Sequence, residues 1–265
     1  MSGAIHLEVV IGAGVLAVAY VTAWRVSGER ISPARATAFG VALASVVGAL
    51  NGLLHDLAED AVFSAHMIQH LILTLVVPPL LLAGTPSFMA DALLDPWLSR
   101  SATRGLLRSI TRPLPALAAW SLALFVCHLP APYAAALGSH ALHFVQHAVF
   151  VATAVLAWWP VASPSRPLPG LPYAAQILYL FALGVPMTIV AAMITGAETI
   201  LYPSAPRVGA LTPLEDQRLG AILMWVPAAI VPPAAFTAVF FRWAAAESED
   251  RAESTLGVCY HERRP

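Results

Sequence analysis

The chain has 265 residues, of which 58% are hydrophobic and 11% charged, with a formal net charge of -1. That balance lies well outside soluble domains and is the composition of a polytopic membrane protein; it excludes a disordered tail and a coiled coil, and it argues against nucleic acid as a partner. Two cysteines, Cys127 and Cys259, are too few for a secreted disulfide scaffold, and all 14 basic residues are arginine, so a retinal protein has no lysine for its Schiff base.

A helix needs roughly 20 mostly apolar residues to cross the hydrocarbon layer, and seven stretches meet or approach that length. They run from about Leu7 to Trp24, Ala34 to Leu54, Phe63 to Ala83, Leu114 to Cys127, His140 to Trp159, Tyr173 to Ile194 and Leu219 to Trp243. The fourth is the shortest. The N-terminus has neither a basic n-region nor a small-residue cleavage site, so the first span is expected to be retained. The expected fold is therefore all-α, a single seven-helix transmembrane domain over residues 1–243 with a short polar cytoplasmic tail over 244–265.

Cytoplasmic loops retain positive charge. Arg25, Arg30 and Arg35 follow span one, Arg100, Arg104, Arg108 and Arg112 follow span three, Arg166 follows span five, and Arg242, Arg251, Arg263 and Arg264 follow span seven. Only Arg207 and Arg218 fall on the other side. The N-terminus is accordingly expected outside and the C-terminus inside. Between spans three and four the arginines recur every four residues, which predicts an interfacial helix over about 88–112, drawn to anionic lipid by about 1 kcal/mol per arginine. Trp24, Trp158, Trp159 and Trp243 fall near inner span ends, as an aromatic belt would.

On this topology eight of nine histidines gather at the outer face: His6, His55, His66, His70, His128, His140, His143 and His147, with His261 alone inside. His66/His70 and His143/His147 are i,i+4 pairs, each on one helix face. Both sit in the pattern H-x-x-Q-H, at the start of spans that run the same way, so four imidazoles converge if the two helices are neighbours. Polar groups placed there are costly and usually mark a function. Imidazole suits zinc, copper, iron and nickel, and thioether sulfur selects Cu(I). Met67, Met193 and Met224 are therefore possible further ligands, as are His140 and Cys127, although methionine is more often core filler. Gln69 and Gln146 point about 100° from their histidines, toward interhelical hydrogen bonds or a supporting role behind the ligands. Asp56, Glu59 and Asp60 could draw a cation to the entrance, and Pro78 and Pro79 are expected to kink span three and free carbonyls below the histidines.

The segment FSAHMIQHLILTLVVPPLLLAGTP (63–86) resembles the hallmark of the CtaG-type assembly factors for caa-type cytochrome c oxidase. So do the segment from Cys127 to Pro160, which includes HFVQH, and LTPLEDQRLGAILMWVPA (211–228). The resemblance implies a seven-helix protein of the bacterial plasma membrane that helps assemble haem-copper oxidase, with oxidase subunits as partners, by bringing copper to its centre. It matches His66, Met67, Gln69, His70, His128, His143, His147, Asp216, Gln217, Met224 and Trp225, whereas His140 and Cys127 stand where other residue types are expected.

The leading expectation is thus a non-enzymatic assembly factor that binds copper through His66, His70, His143, His147 and His128 in a shallow site open to water. Two other readings use the same histidines: a membrane redox protein holding haem b or di-iron, and a copper transporter, for which few polar residues lie at mid-depth.

Overall fold

The computed structural model describes residues 5–206 and 208–261, with side chains described to position 248 apart from 207. It is all-α; among the described residues the one departure from helix and loop is an isolated bridge between Val208 and Leu211. The helices are α1 (Leu7–Ser27), α2 (Pro33–Ala49), α3 (Gly52–Glu59), α4 (Phe63–Leu71), a π-helical turn (Ile72–Val76), α5 (Val77–Gly84), α6 (Ser87–Leu98), α7 (Ser101–Ile110), α8 (Pro113–Cys127), α9 (Pro130–Leu137), α10 (His140–Ala162), α11 (Tyr173–Thr195) and α12 (Pro213–His261). Five are long and apolar enough to cross a membrane, counting Phe63–Gly84 as one, and there are up to seven if α2 with α3 and α7 with α8 each form a bent span.

Each break has a local cause. Between α2 and α3 the chain bends by 45° at Asn51-Gly52, where Gly52 takes φ 68, a left-handed conformation that glycine adopts without steric cost. The Asn51 amide donates to Val47 O at 2.9 Å, satisfying a carbonyl at the end of α2. The 71° turn between α7 and α8 falls at Arg112-Pro113, since a residue before proline is pushed out of the α region. The expected interfacial helix is two helices, α6 and α7, parted at Arg100, whose extended backbone caps α7. Arg104 and Arg108 alone share a helix there; Arg100 and Arg112 are caps. α12 continues to His261, so the polar tail begins as a helical extension of the last span, aided by the helix formers Ala244 to Glu247. The tail side chains, including Cys259 and His261, and residues 262–265 lie outside the described residues.

The third span shows why its prolines do not break it. Pro78 and Pro79 have no N–H to return to the preceding turn, and the π-helical turn before them shifts the ladder so that Val77 N donates to Ile72 O. Thr74 O is left with proline as both its α and its π partner. The indole N–H of Trp158 on α10 donates to it at 3.1 Å, while Thr74 Oγ1 donates to His70 O at 2.7 Å. The freed carbonyl thus ties α10 to the third span. Trp158 is accordingly buried in the core and is no part of a lipid-facing belt, unlike the exposed Trp24 and Trp243. Trp158→Phe should lower stability by about 2 kcal/mol, because it strands a buried carbonyl. Thermal unfolding in detergent checks this; an unchanged midpoint would show that Thr74 O needs no donor.

α12 packs across the start of α4. Asp216, in its first turn, accepts from Phe63 N at 2.7 Å, from Ser64 N at 3.3 Å and from the Ser64 hydroxyl, satisfying donors that a helix N-terminus leaves open. One turn on, Gly220 lies against the Phe63 ring and Met67, and a Cβ there would overlap the ring. The apolar core formed by α4, α8, α10, α11 and α12 includes Trp120, Leu124, Phe150 and Leu183.

Candidate metal centre

α4 and α10 start from the same end of the bundle, and their i,i+4 histidine pairs face each other. The His66 ring lies 4.2 Å from His70, 5.1 Å from His143 and 6.0 Å from His147, while His70 lies 5.2 Å from His147, measured between ring centres. The ring nitrogens of His66, His70 and His147 come within 4.8 Å of one another. His143 stacks on His66 beside this triad, and His128, which caps α8, stands 6.1 Å from His70. Of the five histidines expected as ligands, three therefore form one tight group and two flank it.

The group lies at the end of the short α8, whose 15 residues span roughly 22 Å and are capped by His128. α9 then covers the pocket with Tyr133, whose ring is 5.1 Å from His66, and Phe150 closes the lower side 4.6 Å from His70. Tyr202 donates to His128 O at 2.7 Å and stacks on Phe63. His66 is 0% exposed and His147 7%. The expected shallow, water-open site is a buried one, because α9 and the segment carrying Tyr202 fold over it.

Within that pocket both nitrogens of His66 and of His70, and Nε2 of His128, His143 and His147, are buried without a hydrogen-bond partner. Each such group costs ~1–3 kcal/mol, so the set carries a cost on the order of 10 kcal/mol. A cation shared by the rings would offset it, since neutral imidazole offers a lone pair and carries no charge to repel its neighbours. His128 is oriented for this: its Nδ1 sits 2.7 Å from Leu124 O, which keeps the proton on Nδ1 and the Nε2 lone pair free. Four-coordinate nitrogens are about 3.3 Å apart around an ion, so small side-chain rotations close the triad.

The other candidates are placed elsewhere. Met67 faces Gly220 of α12 and, with Met224, belongs to the apolar core. Met193 is 68% exposed and points away from the bundle. Cys127 and Gln146 line an apolar groove between α8, α9 and α10, with Gln146 donating to Cys127 O at 3.4 Å. Gln69 donates to Ala49 O and to His55 Nδ1, both at 2.8 Å; both glutamines thus make the interhelical contacts their spacing suggested. His140 is exposed and lies beside Glu59. Glu59, expected with Asp56 and Asp60 to draw a cation to the entrance by charge, lies beside His55 one turn away on α3, a pairing that the i,i+4 spacing could have marked.

The family model for the cytochrome c oxidase caa3 assembly factor matches residues 16–246, most of the chain. No curated protein and no solved structure matches it.

Proposed function

Because the chain belongs to the cytochrome c oxidase caa3 assembly factor family, we propose that it serves oxidase assembly as a copper chaperone. The ion is held by His66, His70 and His147, with His143 and His128 as flanking donors, and is passed to the oxidase. The observation that carries this reading is the group of buried histidine nitrogens without partners. An all-imidazole set suits copper, and other metals of the same class compete for it. The arginine distribution supports seven spans in the bacterial plasma membrane with the histidine end outside and the C-terminus inside, where copper would be received before it enters the oxidase.

The role needs no chemical step on a substrate. Binding requires only that the imidazoles be neutral, and release requires a partner able to compete for the same lone pairs. A haem reading fares less well: the rings touch one another, Phe150 and Tyr133 fill the space around them, and a porphyrin would have to part them.

The test is made in cells. Exchanging the native copy for the His66→Ala/His147→Ala variant should yield oxidase with its haem but with less copper, and with oxygen consumption reduced in proportion. Oxidase of normal copper content from such cells, with the variant present in the membrane at normal level, would refute copper delivery by these residues.

A further inference from the structure

A second cluster lies above the first, at the rim of the same bundle end. The ligand atoms of His6, His55 and Glu59 come within 4.8 Å of one another. His6 and His55 are in edge contact with ring centres 4.2 Å apart, and His55 Nε2 is 3.3 Å from Glu59 Oε1. His140 Nδ1 approaches the same carboxylate oxygen to 3.8 Å from the exposed side. The three groups come from different places: His6 caps α1, while His55 and Glu59 lie on one face of α3. They are held by side-chain contacts made for position. His6 N donates to Asn51 Oδ1 at 2.6 Å, which pins the start of α1 to the start of α3, and Gln69 holds the far nitrogen of His55. His6 Nε2 is buried without a hydrogen-bond partner, and His55 Nε2, also buried, has the Glu59 carboxylate beside it, while water reaches Glu59, which is 40% exposed.

We propose that His6, His55 and Glu59, with His140 at the edge, form a second metal site that takes a divalent transition ion at the surface and passes it inward. Two imidazoles and a carboxylate give a mixed nitrogen and oxygen set that suits copper(II) or zinc, and the charge of Glu59, with that of Glu8 3.2 Å from His6 Nδ1, favours a cation arriving from water. The histidine-only group below has no such charge. Between them stands His143, stacked 6.1 Å from His55 on one side and lying 5.1 Å from His66 and 4.4 Å from His147 on the other. All eight histidines with described side chains thus form one unbroken file, from the exposed His140 down to His128. An ion moves along it by exchanging one imidazole for the next, with no change of oxidation state.

Gln69 sets a condition on loading. With its N–H on His55 Nδ1, neutral His55 carries its proton on Nε2, toward Glu59. Metal binding at Nε2 moves that proton to Nδ1, and the Gln69 amide turns to accept it through Oε1, giving up its bonds to His55 and to Ala49 O. Gln69 is therefore a positioning residue for the outer site, of the kind found behind metal-bound histidines.

The inward transfer rests on the lower triad being the copper site; the outer site does not. The test loads full-length protein, purified without a histidine tag, with copper(II) and reads bound metal together with the electron paramagnetic resonance spectrum. Two ions are expected, one with mixed nitrogen and oxygen ligands and one with nitrogen only. His6→Ala/Glu59→Gln should remove the mixed signal and one ion, and should slow filling of the inner site about tenfold or more, as loss of a charged entrance does. Both positions lie at the rim, and Glu59→Gln alone gives the same loss in weaker form with the fold intact. A single ion, untouched by His6→Ala/Glu59→Gln and lost in His66→Ala/His147→Ala, would overturn the outer site and leave the inner one standing. Retention of the nitrogen-only signal in His66→Ala/His147→Ala would overturn the inner assignment, with the outer site still decided by its own variant.

Discussion

Replacing His66 and His147 together by alanine is expected to weaken copper binding at the inner site by about 10,000-fold or more, taking the upper end of the 10- to 100-fold loss for a residue behind a ligand as a floor for each ligand removed. The reason is geometric. These two residues come from different helices, and with His70 they make the one group of three buried ligand nitrogens among the described residues. Removing both leaves His70 with only the more distant His128 and with His143 across the pocket. His128→Ala should cost far less, about tenfold, because His128 stands outside the triad. Competition against a chelator of known copper affinity, with the outer site removed by His6→Ala/Glu59→Gln, measures both variants. An affinity in the double variant within tenfold of the native value would show that copper is held elsewhere.

Asp216→Ala is expected to produce the largest loss of stability of any single change outside the core, about 3–5 kcal/mol, since a buried carboxylate that accepts three hydrogen bonds is removed. Asp216 begins α12 and at the same time caps α4 through Phe63 N and the Ser64 backbone and hydroxyl. The positive end of the α4 dipole faces that carboxylate. Asp216→Asn retains an accepting oxygen and should cost about half as much. In a thermal melt the alanine variant should unfold roughly 10 °C below the native protein. Because His66 lies one turn from the capped end, copper affinity should fall along with stability; a variant with normal stability would mean that solvent satisfies those donors as well as Asp216 does.

What the sequence made legible is the part governed by period and spacing. Apolar length located the helices of the first, third, fifth and sixth spans to within a few residues, and the two H-x-x-Q-H strings located the facing pairs, because an i,i+4 spacing fixes a helix face whatever the fold. The break at Asn51-Gly52 went unread, because the apolar run from Ala34 to Leu54 continues straight through it. The long-range partners could not be read. Trp158 looked like an interfacial residue, and only the pairing of α10 with the proline-bearing span gives its N–H the carbonyl of Thr74. The burial of the triad depended on α9 and Tyr202 crossing over it, contacts between segments roughly 70 residues apart that no local pattern encodes. Glu59 was legible as part of a charged entrance, and only the fold, which sets His6 and His55 beside it, makes it a candidate ligand. Methionine misled by chemistry, since Met67 adjoins the candidate ligand His66 in sequence yet turns toward Gly220 of α12.

The central claim is that one buried ion is held by imidazoles alone. X-ray absorption at the copper edge, on protein loaded with less than one equivalent and given time for the ion to reach the inner site, tests it most directly. A first shell of nitrogen only, three to four atoms with the outer-shell scattering of imidazole rings, is the predicted result. Sulfur in the first shell, or the absence of ring scattering, would contradict it.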